Sequence, residues 1–171
     1  NPVDADADNI FMFSVIVTDS EGLTDSVELT VTVTDVDENL PPSLPLSEIK
    51  TLTQSIDGQL VERRYIIRYP QDIAKRPYPV MFFFDGSGGA ADSWLLNPAV
   101  SRLIDEGEFV GIFPDGYNKR WNVGTESNAD DVAFVTEIVN SLPPEGVFDL
   151  EKMYGVGTSN GAGLVNKLAK E

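Results

Sequence analysis

The chain opens with two short runs rich in β-forming residues, the second of which alternates apolar and polar positions. Phe11 to Thr18 is the first and Ser26 to Thr34 the second. In the second, Val27, Leu29, Val31 and Val33 alternate with Glu28, Thr30, Thr32 and Thr34. A period of two gives a strand one apolar and one polar face. Asp19-Ser20-Glu21-Gly22 between the runs is turn chemistry, which predicts an antiparallel hairpin. A lone hairpin is marginal in water, so this pair is expected to be the tail of a β-sandwich.

Further along, the pattern changes. Leu60 to Tyr69 is a strand candidate, and Pro79 to Phe84 is a continuous apolar run, as expected of a strand buried on both faces. A helical pattern follows over residues 93–106, then a strand over Phe109 to Phe113 and a helix over Asp130 to Leu142. A strand over Lys152 to Val156 and a helix over Asn160 to Lys170 complete the series. Such alternation predicts a parallel α/β sheet, in which function gathers at the carboxyl ends of the strands.

Composition divides the chain in the same way. Residues 1–39 hold ten Asp and Glu and no Lys or Arg, while residues 40–171 hold eighteen acids and twelve bases. The break falls at Leu40-Pro41-Pro42-Ser43-Leu44-Pro45, a stretch that favours extended backbone. The expected organisation is a β segment over residues 1–39, a Pro-rich linker over 40–48 and an α/β domain over 49–171. A net charge of −16 disfavours nucleic acid and anionic membrane as partners. No apolar run is long enough to form a transmembrane helix. The chain starts at Asn1 and stops just after a helical pattern, which is the expectation for a piece of a longer protein. Cys and His are both absent, so no disulfide, thiol nucleophile or imidazole base is available within these residues.

Chemistry concentrates at Gly157-Thr158-Ser159-Asn160-Gly161. This is G-x-S-x-G between a strand and a helix, the context of a nucleophile elbow. The glycines permit a tight turn that lifts the Ser159 hydroxyl above the sheet edge, and the Asn160 N–H at the helix start points toward a developing oxyanion. The plainer alternative is a Gly-rich turn with a Ser N-cap. Dinucleotide binding fits less well, because Gly155 and Gly157 begin G-x-G-x-x-G but Asn160 stands at its third glycine. A second oxyanion donor is expected from the loop Asp85-Gly86-Ser87-Gly88-Gly89, with Ser87 N–H first and Gly86 or Gly88 next. Ser47-Glu48-Ile49-Lys50 spells S-x-x-K, but its partner motifs are missing. Asp130 and Asp131 open a helix, where carboxylates cap N–H groups.

These stretches resemble the secreted polyhydroxybutyrate depolymerase and feruloyl esterase family of α/β-hydrolases. The matching residues are Pro79 to Gly89, Phe113-Pro114-Asp115-Gly116 with Trp121-Asn122, Asp130 to Phe134, and Tyr154 to Gly163. The likeness covers residues 50–171, the amino-terminal half of such a domain. It implies a partial α/β-hydrolase sheet, Ser159 as nucleophile, Asn160 and Ser87 as oxyanion donors, and a polymeric ester as substrate. Trp121 would line the acyl or sugar side of the cleft or else fill the core. Two departures stand out. The family's His-Gly before the oxyanion loop is Asp85-Gly86 here, and an unpaired anion there would oppose catalysis. The triad Asp and His, which follow the elbow in this family, would lie beyond Glu171. Asp-Gly at that loop also fits the siderophore-esterase branch.

The acidic run Asp35-Val36-Asp37-Glu38-Asn39 before the prolines resembles the linker of cadherin-type repeats. The resemblance makes Asp35, Asp37, Glu38 and Asn39 Ca²⁺ ligand candidates, with Asp19 in the internal turn a further one. Asp4, Asp6 and Asp8 could join them or form a solvated edge. A calcium-binding β module beside an esterase-like domain suggests a secreted or cell-surface protein holding a hydrolase near its substrate. The other reading is a calcium-dependent adhesion protein with an inert hydrolase-like domain.

Overall fold

The computed structural model describes residues 10–32, 46–71, 75–124, 127–142 and 146–170. The chain divides into two compact units, with the division between Pro42 and Ser43.

In the first unit, β1 (Ile10–Thr18) pairs antiparallel with β2 (Thr24–Thr32). The register sets Phe13 opposite Leu29 and Val15 opposite Val27, which puts these four apolar side chains on one face. Asp19 closes the turn. Its Oδ1 accepts from the backbone N–H of Glu21 and of Leu23, each at 2.9 Å, and Gly22 takes a φ of 84°. Asp19 therefore has a structural task in the hairpin. Asp35, Asp37, Glu38 and Asn39 lie outside the described residues.

The second unit is built on a five-stranded sheet in the order β3-β4-β6-β5-β7. Its strands are β3 (Ser47–Ile56), β4 (Gln59–Arg68), β5 (Tyr78–Phe84), β6 (Val110–Pro114) and β7 (Phe148–Gly157). The parallel expectation holds for β6, β5 and β7, whereas β3–β4 and β4–β6 pair antiparallel. The sheet is mixed because β3 and β4 form a hairpin, which needs no crossover helix. Its turn is Asp57-Gly58, with φ of 53° and 75°, the left-handed pair of a two-residue I′ turn. β3 begins at Ser47, inside the stretch expected to be linker, so Ser47 and Glu48 belong to the sheet and the S-x-x-K residues lie on a strand.

Helices cover both faces. The pattern over residues 93–106 resolves into α1 (Ala91–Leu95) and α2 (Pro98–Asp105). The break is at Asn97-Pro98, where the Asn97 side chain caps the N–H groups of Ala99 and Val100 and Pro98 sits where its missing N–H costs nothing. Ala91, Val100 and Ile104 pack with Ile66, Phe83, Phe109 and Phe113 on that side of the sheet. Phe83 and Phe113 stack at 5.0 Å between centroids. On the other face, α3 (Asp131–Ser141) and α4 (Asn160–Leu168) place Phe134, Ile138 and Leu164 against Ile67, Val80, Phe82, Phe84 and Ile112. With apolar layers on both sides, β5 and β6 are buried almost throughout, which accounts for their unbroken apolar sequence. Among the described residues, no helix is long and apolar enough to cross a membrane.

Candidate functional site

β5 and β7 run parallel and end side by side at Phe84 and Gly157. The chain leaves β7 through Thr158 and Ser159 and enters α4 at once. Ser159 sits at φ 49° and ψ −115°, a conformation that costs a non-glycine residue of order 1–3 kcal/mol. It is exposed, and its side chain makes no capping hydrogen bond to α4. The turn is held by Thr158 N–H donating to Phe84 O at 3.1 Å and Gly161 N–H donating to Thr158 O at 2.8 Å.

The two flanking glycines are required by close packing. A Cβ on Gly157 would run into the backbone of Gly161 and Ala162, and one on Gly161 into the carbonyl oxygens of Phe84 and Asp85. The start of α4 thus lies directly on the end of β5, which tightens the reversal at Ser159.

The Asp85–Gly89 loop leaves β5 against this turn. A Cβ placed on Gly86 would lie 3.4 Å from the Ser159 Cβ and 3.5 Å from the Thr158 carbonyl oxygen. Gly88 N–H is committed to Lys119 O at 2.8 Å, and Gly89 N–H to Gly86 O at 3.0 Å. Of the three donors expected from this loop, Gly88 is thereby taken, while Gly86 borders Ser159 and Ser87 follows it. Asn160 N–H belongs to the first turn of a helix, where N–H groups have no intrahelical acceptor.

Trp121 and Asn160 clasp each other. Trp121 N–H donates to Asn160 Oδ1 at 2.7 Å, and Asn160 Nδ2 donates to Trp121 O at 2.9 Å. The indole Nε1 donates to Asp85 O at 2.8 Å, and the ring meets Phe84 edge-on at 5.3 Å. Trp121 is 1% exposed, so of the two places open to it the structure gives the core. From there it ties the elbow to the loop after β5 and presents no surface to a cleft.

Asp115, in the Pro-Asp-Gly run, has a larger structural part than its sequence suggested. Its Oδ1 accepts from Ala91 N–H at 2.7 Å, and its Oδ2 pairs with Arg64 at 2.8 Å. It fixes the far end of the loop and the start of α1. The acidic first residue of the turn was visible in the sequence, but its cation, Arg64, is fifty-one positions away. Asp131 was expected only to favour a helix start. Asp130 makes the cap, accepting from Ala133 N–H at 3.0 Å, whereas Asp131 is fully buried and pairs with Arg63 at 2.7 Å.

Asp85 is buried at the root of the loop. Its Oδ2 has no hydrogen-bond partner in the structure, and burial pushes its carboxyl up to about 6, helped by the neighbouring carboxylates Asp115 and Asp92 and opposed by hydrogen bonding to Ser93.

No family model matches the chain. Over 117 residues it is 26% identical to a probable feruloyl esterase C of Aspergillus niger, an alignment covering 65% of this chain and 42% of that protein. Over 132 residues it is 24% identical to feruloyl esterase D of Neurospora crassa, covering 70% of this chain and 44% of that protein. The chain thus spans less than half the length of these curated relatives. Among solved structures it is similar to a thermostable esterase, with 18% identity, a TM-score of 0.48, and coverage of 89% of this chain and 44% of that one. A ferulic acid esterase gives 19% identity and a TM-score of 0.49, over 68% of this chain and 51% of that one.

Proposed function

We propose that this chain carries the nucleophile and oxyanion half of a serine carboxyl-ester hydrolase acting on aromatic or aliphatic esters of a polymer. The observation that carries the reading is Ser159, an exposed hydroxyl on a strained turn with Gly86 packed against it. Strain of this kind persists where the surrounding structure imposes it, and here the close approach of Gly157 and Gly161 does so.

In this mechanism Ser159 Oγ attacks the ester carbonyl carbon and transfers its proton to a general base. The tetrahedral oxyanion accepts hydrogen bonds from the N–H of Asn160 and from Ser87, with Gly86 beside it. Collapse expels the alcohol, protonated by the same base, and leaves an acyl-serine. Water then attacks the acyl group, the base takes the water proton, and the acid is released as Ser159 recovers its hydrogen. Each oxyanion donor contributes on the order of 3 kcal/mol to the transition state. The base is an imidazole, and the 171 residues contain none. Full activity is therefore assigned to a protein that carries an Asp and a His after the elbow, and the 171 residues alone, with the Ser159 hydroxyl left protonated, are expected to show no serine-dependent turnover. The two feruloyl esterase relatives, at 26% and 24% identity, favour a feruloylated polysaccharide as the polymer.

The test is hydrolysis of p-nitrophenyl butyrate by the longer protein. Ser159→Ala is expected to lower kcat by at least a thousandfold. Equal rates for the two proteins would refute the nucleophile assignment. The acidic run ending at Asn39 is proposed to bind Ca²⁺ together with a preceding repeat, at a secreted or cell-surface location. Calorimetry on a protein with that repeat restored should give heat at millimolar Ca²⁺, and an absence of heat would retire the calcium reading. If neither Asp nor His follows the elbow, the inert adhesion protein becomes the better account.

A further inference from the structure

Asp85 stands between the last residue of β5 and the loop that faces Ser159, and the mechanism above gives its side chain no task. The loop is nevertheless wound around that side chain. A Cβ on Gly89 would lie 2.7 Å from the Asp85 Cβ and 3.0 Å from its Cγ, so the Gly89 backbone closes directly over the carboxyl group. The turn is pinned by Gly89 N–H on Gly86 O, by Gly88 N–H on Lys119 O, and by the Trp121 indole on Asp85 O. Inside it, Asp85 Oδ2 is buried without a partner.

The ionisable surroundings are one-sided. Asp115 faces the carboxyl from the end of β6, and Asp92 and the Ser93 hydroxyl from α1. Arg64 on β4 spends its guanidinium on Asp115 and Asp92. The elbow adds only the backbone of Gly161, which packs on the Asp85 carbonyl oxygen, and the loop after β6 adds the neutral indole of Trp121. No cation is bonded to Asp85 among the described residues.

We propose that Asp85 is a positioning residue for the oxyanion loop and holds it as a neutral carboxylic acid. When neutral, its hydroxyl can turn to a nearby acceptor and the residual cost of burial is small. When ionised, the unpaired oxygen becomes a bare anion beside two other carboxylates, and relief requires water. The Gly86–Gly89 turn stands in the way of that water, so ionisation lifts the turn and carries Gly86 and Ser87 away from Ser159. The kinetic consequence rests on Ser159 being the nucleophile, while the structural consequence stands without it. Ionisation lowers kcat with little effect on KM, because the oxyanion forms only in the transition state. The midpoint is expected near pH 6, with the competent fraction falling about tenfold per pH unit above it.

Nuclear magnetic resonance on the 171-residue chain tests the structural part. Between pH 5 and 8 the amide signals of Gly86, Ser87 and Gly89 and the Trp121 indole N–H should move together in the wild type. They should stay fixed in Asp85→Asn, a neutral side chain of the same shape. Flat wild-type signals, or the same transition in Asp85→Asn, overturn the proposal. If Asp85→Asn does not fold, the carboxyl carbon of Asp85 in the wild type decides, and titration complete below pH 5 overturns it. In the longer enzyme, Asp85→Asn should remove the alkaline fall in kcat that the wild type shows, raising the variant-to-wild-type ratio about tenfold from pH 7 to 8. A carboxyl that merely filled space would change kcat equally at every pH, and that outcome also overturns the proposal. Undiminished activity in Ser159→Ala would instead refute the nucleophile and leave the resonance result standing.

Discussion

Replacing Asp131 by Ala would test how the β6–α3 loop is held against the sheet. Asp131 and Arg63 are both almost fully buried, with 2.7 Å between Oδ1 and the guanidinium. The other carboxylate oxygen accepts from Asn122 N–H at 2.6 Å, next to Trp121. Removing the carboxylate leaves a buried guanidinium without its counter-charge and a half-buried N–H without its acceptor. Breaking a buried pair in this way costs about 3–5 kcal/mol. Arg63 keeps Gln54 Oε1 at 2.6 Å, Asp115 O at 3.2 Å and the face of Phe134 at 4.1 Å, so the lower end, about 3 kcal/mol, is expected. That is more than a hundredfold in the unfolding equilibrium. Asp131→Asn keeps the shape and one acceptor but loses the charge, and should cost about 1.5–3 kcal/mol. Urea unfolding followed by tryptophan fluorescence is the assay. Both tryptophans, Trp94 and Trp121, lie in the second unit, so the hairpin does not contribute to the signal. The double variant Arg63→Met with Asp131→Leu should recover most of the loss, because two apolar side chains of similar volume carry no desolvation cost. A loss below about 1 kcal/mol in Asp131→Ala, or a double variant no better than the single, would refute the reasoning.

Two further outcomes follow from the same contacts. Because burial raises the Asp85 carboxyl from 3.8 to about 6, the fold favours its neutral form; the resulting stability is fully present below pH 3.8 and is lost as pH rises through 6. Asp85→Asn should therefore gain stability over the wild type between pH 4 and 7, by at most about 3 kcal/mol at about 1.4 per pH unit, and a constant difference across that range in parallel urea titrations would contradict it. Gly161→Ala should destabilise the second unit by about 3 kcal/mol, because its methyl would meet the backbone oxygens of Phe84 and Asp85 rather than side chains that can move; an unchanged urea midpoint would show that α4 shifts freely.

The parts of the fold that follow hydropathy were legible because burial is what hydropathy records. Phe82, Phe83 and Phe84 form a strand covered on both sides, and Gly157 and Gly161 bracket a turn at positions that admit no Cβ. β3 escaped because its hydropathy does not follow its burial: the inward positions include Glu48 and Gln54, and the outward ones include Ile49. Ile49 is exposed and Leu52 partly buried, while Ile56 is the one fully buried side chain of the strand. A stronger clue was local: Asp57-Gly58 between two runs is the dipeptide of an I′ hairpin, and Asn97-Pro98 marks a helix start for equally local reasons. What no local reading could supply was partnership across the chain. Arg63 and Asp131 are sixty-eight positions apart, and only the sheet brings them together. Asp85 shows the converse, for its sequence neighbours promise an exposed glycine loop, yet it is buried, with Asp115 and Trp121 from the stretch after β6 and Gly161 from α4 brought up against it. The chemistry of this site thus depends on long-range burial more than on its motif. The motif supplies the hydroxyl of Ser159, while the protonation of a carboxyl at the first residue of the oxyanion loop decides whether the donors facing that hydroxyl stay in place.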